Sequence, residues 1–487
     1  MTTGRDSALW TRDAVSLAAL IAEGAVTAAQ VVEAHLERIE QVDSEIGALT
    51  RVFAETARAE AAAADRRRPT GPLHGVPVTV KNNLDVAGSP TTWGVAAFGQ
   101  AIATADAPAV SALRRAGAIV IGRTNMPDFA TRWHTDNDEA GPTVNPWYPT
   151  RSPGGSSGGD AAAVATGMTP LGLGTDFGGS LRVPAAFCGV ASLRTTPGRV
   201  AVASSLPGAA PAPTNQLFAA PGPLARSVRD LTTALEVLRD SADVRDPGWI
   251  PVCDTTDTTL PAVAVTLGDD IDPQVRAAVL GCADALERAG YPVAELDPPH
   301  LGEVAADYGR LVSTEVMVQR REAMRRVGSA GLNTFVDAAI NLFPPLDLAG
   351  YMTALSERLT RRAAWSRFLA EHPIVLGPVS TELPWPVGYD LGGSAQVATM
   401  YAAHRLTIAA NYLALPAVTV PAGVSVEGLP IGVQLITGPF AERRALTAAA
   451  HIEAAFPMPT PISWATNPTT RRPAPSQAPS SGSGTTR

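Results

Sequence analysis

Two serines and a lysine are the residues through which this sequence could do chemistry. Residues 151–189 read RSPGGSSGGDAAAVATGMTPLGLGTDFGGSLRVPAAFCG, with glycine-serine turns at 154–159 and 178–180. Glycine around a serine lets the main chain take conformations closed to other residues and lets a ligand approach bare N–H groups. Serine, however, is a weak nucleophile until a neighbour removes its proton. No histidine lies inside the stretch, and neither glycine cluster is followed by the lysine of a phosphate-cradling loop. A base is on offer upstream. Residues 75–83 read GVPVTVKNN, an apolar, β-branched run that predicts a buried strand delivering the Lys81 amine at its end. Ser-Lys pairing is a known variant of the catalytic triad.

The Lys81 strand, the RSPGGSSGG turn and the GTDFGGSLRVPAAFCG run together resemble the amidase signature family. RTNMPDFA at 123–130, GPLARSVRDL at 222–231 and NYLALPAVTVPAGVSVEGLPIGVQLI at 411–436 resemble it too. The resemblance implies a Ser-Ser-Lys triad, with Ser180 as nucleophile, Ser156 as bridging serine on a cis peptide bond, and Lys81 as base. It implies a fold as well: one large α/β domain over residues 5–465, with a central mixed β-sheet covered on both faces by α-helices. The implied activity is hydrolysis of a small-molecule carboxylic amide through a Ser180 acyl-enzyme. Three alternatives stand beside it: the glutaminase subunit of a glutamyl-tRNA amidotransferase, an esterase, and a catalytically dead relative serving as a binding module. One departure is visible. Residues 193–196 read Leu-Arg-Thr-Thr where many members read Leu-Lys-Pro-Thr, which puts the shape of that loop in question.

Around the serines, the residues suggest further roles. A buried strand at 169–174 leads into Asp176, Phe177, Gly178, Gly179 and Ser180, whose last four backbone N–H groups are expected to converge on an oxyanion. Asp176 and Arg182 are expected to form an ion pair that holds this loop. Ser157 is expected to point away from Lys81 and brace its turn. His134, in WHTDND, is a pocket-lining candidate, and Cys188 among apolar neighbours reads as an inert thiol. Lys81 must be neutral to act as a base, which burial can achieve by lowering its pKa.

Elements that position these groups follow from periodicity. Helices are expected at 11–42 (split at Glu23-Gly24), 54–68, 106–116, 160–166, 273–290, 308–327, 348–371 and 441–455. Residues 222–231 are read as opening a further helix that runs to Leu238. Strands are expected at 49–53, 118–122, 262–266, 291–296, 373–377, 416–420 and 431–436.

The composition narrows the class. The 487 residues are 45% hydrophobic and 17% charged, with a net charge of −8. That suits a globular enzyme and disfavours nucleic acid or an anionic membrane as partner. The three cysteines, Cys188, Cys253 and Cys282, have neither disulfide nor metal-ligand spacing, so no metal or cofactor is expected and a cytoplasmic home is. An apolar run at 407–426 is broken by Asn411, Pro416, Pro421 and Gly423, and reads as a helix end followed by a strand. A homodimer is compatible with all of this. Residues 466–487, rich in Pro, Ser, Gly and Thr, are expected to form a disordered tail.

Overall fold

Alternation along strands decides which side of a sheet can carry chemistry. The computed structural model describes residues 6–206, 211–246, 248–251, 260–268 and 270–458. Its described strands are β1 (Leu49–Val52), β2 (Pro77–Lys81), β3 (Ile119–Thr124), β4 (Leu171–Asp176), β5 (Ala191–Arg194), β6 (Ala220–Ala225), β7 (Val263–Val265), β8 (Val293–Glu295), β9 (Ile374–Pro378), β10 (Ala417–Val424) and β11 (Pro430–Thr437). They form one sheet in the order β1-β3-β2-β4-β6-β5-β10-β11-β9-β7-β8. The sheet is mixed. β2 runs parallel to β3 and β4, and β7 parallel to β8 and β9, while β4, β6, β5, β10, β11 and β9 pair antiparallel in succession.

Val78 and Val80 of β2, Leu171 and Leu173 of β4, Val418 and Val420 of β10, and Val433 and Leu435 of β11 enter one core. Helices Pro108–Arg115, Val228–Leu238, Pro273–Arg288 and Glu442–Ala455 cover it. The intervening residues, Thr79, Lys81 and Gln434 among them, face the other side. There the helices Gly158–Ala165 and Arg182–Cys188 lie against the sheet, joined by a second large apolar cluster that includes Phe187, Ile408, Ala409 and Ile436. The chain is thus one large α/β domain with helices on both faces of a mixed sheet, as expected.

Most sequence-derived elements are present, with ends that move by a few residues. The 222–231 segment differs. Ala220–Ala225 is β6, a strand inside the sheet, and the helix begins only at Val228. Proline offers no ladder N–H, so Pro221 and Pro223 give this strand no sequence signal. Gly222 between them is needed for the close pairing, since a Cβ there would lie 1.9 Å from the Leu193 carbonyl oxygen of neighbouring β5. The 308–327 segment is two helices, Leu301–Glu315 and Arg321–Val327, joined by a π-helical turn. Sequence reading missed the helices Pro213–Phe218, Arg182–Cys188, Ala330–Leu342 and Ser394–Ala403, and strand β5. Every residue of Arg182–Cys188 is buried, so no polar face marks its period. Cys253 and the 466–487 segment lie outside the described residues.

Candidate active site

The site sits at the carboxyl ends of the parallel strands β2 and β4, where open α/β sheets commonly bind ligands. Lys81 is the last residue of β2 and is fully buried. Its Nζ donates to Ser156 Oγ at 2.8 Å, to Ser157 Oγ at 2.8 Å and to Thr175 Oγ1 at 3.3 Å. The turn that presents the serines contains one cis peptide, Gly155–Ser156. The Ser157 N–H donates to the Ser180 carbonyl at 3.1 Å, which draws the two glycine-serine turns together.

Ser157 therefore does not point away from Lys81; its hydroxyl lies as close to the amine as that of Ser156. Gly174 makes this possible, because a Cβ there would stand 2.8 Å from Ser157 Oγ. Thr175 was not anticipated either. It shares the parity of Leu171 and Leu173, which face the opposite core, yet at the strand end its hydroxyl meets Lys81 and accepts from Asn83 Nδ2 at 2.9 Å.

Behind the lysine stands a second ionisable group. Asp160, in the first turn of helix Gly158–Ala165, is fully buried and accepts from Thr124 Oγ1 at 2.7 Å. Thr124 is the register partner of Lys81 across β2 and β3, so the carboxyl lies over the lysine's face of the sheet. Burial pulls Lys81 down to about 7, against the pull of the Asp160 and Asp176 charges, and burial pushes Asp160 up to about 7. An acidic residue just inside a helix start reads from sequence as a partner of the helix dipole, and that conceals its neighbour.

Ser180 is the most open of the three candidate catalytic residues at 6% exposure, and its Oγ has no protein partner among the described residues. The preceding loop is held by Asp176. Arg182 Nε donates to Asp176 Oδ2 at 3.0 Å, Asn411 Nδ2 donates to Oδ1 at 2.7 Å, and Arg182 reaches on to Gln434 of β11 at 2.9 Å. Burial alone would raise the Asp176 pKa; the Arg182 and Arg194 guanidiniums overcome it and hold the carboxyl far below the usual range. The expected Asp176–Arg182 pair is therefore formed.

Gly179 departs from the expected set of oxyanion donors. Its N–H donates to Asp176 Oδ1 at 2.9 Å. The N–H groups of Phe177, Gly178 and Ser180 have no acceptor among the described residues. His134 lies beside the first turn. Its Nδ1 shares a 2.9 Å hydrogen bond with Ser152 Oγ, which accepts from the Gly154 N–H at 3.0 Å, so the imidazole braces the first turn from behind. Burial lowers its pKa. Cys188 is buried, with Sγ donating to the Pro153 carbonyl at 3.4 Å, and burial pushes its thiol up. Among the described residues, no cluster of three or more His, Cys, Asp or Glu side chains is placed to hold a metal, and no helix is long and apolar enough to cross a membrane.

A family model described as Amidase matches residues 30–446. This chain belongs to the amidase signature family. The amidase is 39% identical, over 91% of its length and 86% of the relative's, to an indoleacetamide hydrolase of Bradyrhizobium diazoefficiens. It is 34% identical, over 88% of its length and 93% of the relative's, to a glutamyl-tRNA(Gln) amidotransferase subunit of a Synechococcus species. A solved 6-aminohexanoate cyclic dimer hydrolase superposes with a TM-score of 0.80 at 27% identity, covering 96% of the amidase and 99% of that chain. The amidase is accordingly a hydrolase of amide bonds.

Proposed function

We propose that the amidase cleaves a small carboxylic amide through a Ser180 acyl-enzyme, with Ser156 as proton relay and Lys81 as base. The observation that carries this reading is the 2.8 Å contact between Lys81 Nζ and Ser156 Oγ, made by an amine that burial holds near pH 7. A neutral amine has two hydrogens and one lone pair. Ser157 Oγ and Thr175 Oγ1 are positioned to take the hydrogens, which leaves the lone pair for the Ser156 hydroxyl.

Ser156 gives its proton to Lys81 as it receives one from Ser180, and Ser180 Oγ attacks the amide carbon. The developing oxyanion is met by the N–H groups of Phe177, Gly178 and Ser180. Collapse expels ammonia or an amine, protonated through Ser156, and leaves the acyl group as an ester on Ser180. Water, deprotonated along the same relay, then attacks the ester and releases the carboxylate.

The likeness to an indoleacetamide hydrolase favours a primary amide with an aryl-bearing acyl group. Incubating purified protein with indoleacetamide, aliphatic amides and glutamine, and measuring ammonia, tests the reading. Turnover of the aryl amide that disappears in Ser180→Ala is expected. Absence of both turnover and fluorophosphonate labelling of Ser180 would sink it. The likeness to the glutamyl-tRNA(Gln) amidotransferase supports a second reading, which glutamine turnover only in the presence of a co-purified protein would favour.

A further inference from the structure

A planar trans peptide points its N–H and C=O in opposite directions, so whatever fixes the carbonyl also aims the amide. The peptides of the 176–180 loop are trans, and every carbonyl from Asp176 to Gly179 has a donor. The Asp176 carbonyl accepts from Arg194 Nη1 at 2.6 Å and from Asn411 Nδ2 at 3.4 Å. Phe177 O accepts from the Tyr308 hydroxyl at 3.4 Å, Gly178 O from Trp133 Nε1 at 2.8 Å, and Gly179 O from the Val183 N–H at 2.8 Å. These carbonyls belong to the peptides that carry the N–H groups of Phe177, Gly178, Gly179 and Ser180, in that order.

We propose that Arg194 and Tyr308 are positioning residues for the oxyanion site: by holding the carbonyls of Asp176 and Phe177 they aim the N–H groups of Phe177 and Gly178 at the reacting oxygen. The inference rests on the assignment of Ser180 as nucleophile. Neither side chain acts on the substrate's scissile bond. Arg194 is fully buried, its Nε donates to the Leu415 carbonyl at 3.1 Å, and its Nη1 lies 3.5 Å from Asp176 Oδ1. One guanidinium thus ties the loop to the chain before β10 and fixes both the carbonyl and the carboxylate of Asp176. A lysine at this place has a single ammonium for that fork-shaped task. The Tyr308 ring is locked by stacking on Phe218, with centroids 5.6 Å apart, so its hydroxyl is presented from a rigid support.

Two variants and two readouts test this. Tyr308→Phe keeps the stacked ring and removes only the hydroxyl, and Arg194→Lys keeps the charge. Losing one oxyanion donor outright costs roughly 10²–10³ in kcat, so misaiming one is expected to cost about tenfold, a little less for Tyr308→Phe. The loss should fall on kcat with KM nearly unchanged and the acid limb of the pH profile unmoved. Binding of an aryl boronic acid, which forms a tetrahedral adduct, should weaken by the same factor, while binding of the product carboxylate should not. Losses confined to KM, or boronic acid affinity equal to that of the parent, would overturn the proposal. If Arg194→Lys does not fold, Tyr308→Phe decides alone. Parent-like kcat in both variants with an inactive Ser180→Ala refutes the positioning role and spares the nucleophile; an active Ser180→Ala refutes the nucleophile itself.

Discussion

Lys81 and Asp160 are both fully buried and the charge of each acts on the other, so the pH dependence of the reaction is predicted from this pair. Burial lowers Lys81 to about 7, so the amine is protonated and unable to accept below that pH and free to accept above it. Turnover measured as kcat/KM should therefore rise through about pH 7 and level off on the alkaline side. The Asp160 charge raises the lysine, so Asp160→Asn should shift the acid limb to lower pH; an unmoved limb would mean that the carboxyl is already neutral where the enzyme works. Lys81→Ala should remove nearly all turnover with circular dichroism unchanged. The serines separate by relay rather than by distance, since both hydroxyls lie 2.8 Å from Nζ. Ser156→Ala should slow hydrolysis and fluorophosphonate labelling of Ser180 by ~10²–10⁴, the scale of lost acid-base help. Ser157→Ala, which removes an acceptor that orients the amine and a long 3.4 Å bond to the Thr175 carbonyl, should cost less, and the reverse ranking would make Ser157 the relay.

Among the elements, the β6 strand carries the sharpest packing demand. Gly222→Ala would drive a methyl group into the Leu193 carbonyl, and with backbone on the receiving side there is nothing soft to give way. Unfolding in urea should show a loss of about 1–3 kcal/mol, the usual cost of overpacking; an unchanged midpoint would mean that β5 can retreat. This strand also marks where sequence reading stops. β2 and its terminal lysine were legible because β-branched residues run unbroken to Lys81, and the glycine-serine turns because their composition is rare. A Pro-Gly-Pro run gives no such signal, since its strand character comes only from the neighbours that pair with it. Asp160 and Thr175 were missed for a related reason: helix position and strand parity both pointed them elsewhere, and only the packed site brings them to Lys81. Ser157 was legible as a residue but not in direction, which the empty place at Gly174 decides.

On the scale of the whole molecule, the chain after the last helix has a composition of its own. Residues 466–487 offer few apolar side chains against the entropy of ordering them. Stopping the chain after Ala465 should leave Tm and turnover nearly unaltered, and a fall of several degrees would show that the segment docks on the body. The order of strands has a different consequence. β10 and β11 stand between β5 and β9 in the sheet, although they come almost last in the chain. Asn411 and Gln434, one just before β10 and the other within β11, reach back to the Asp176–Arg182 pair that holds the nucleophile loop. A polypeptide emerging from the ribosome carries its lysine and both serines long before these partners have been translated, so the loop before Ser180 acquires its full set of hydrogen-bond partners only once residue 434 has been added.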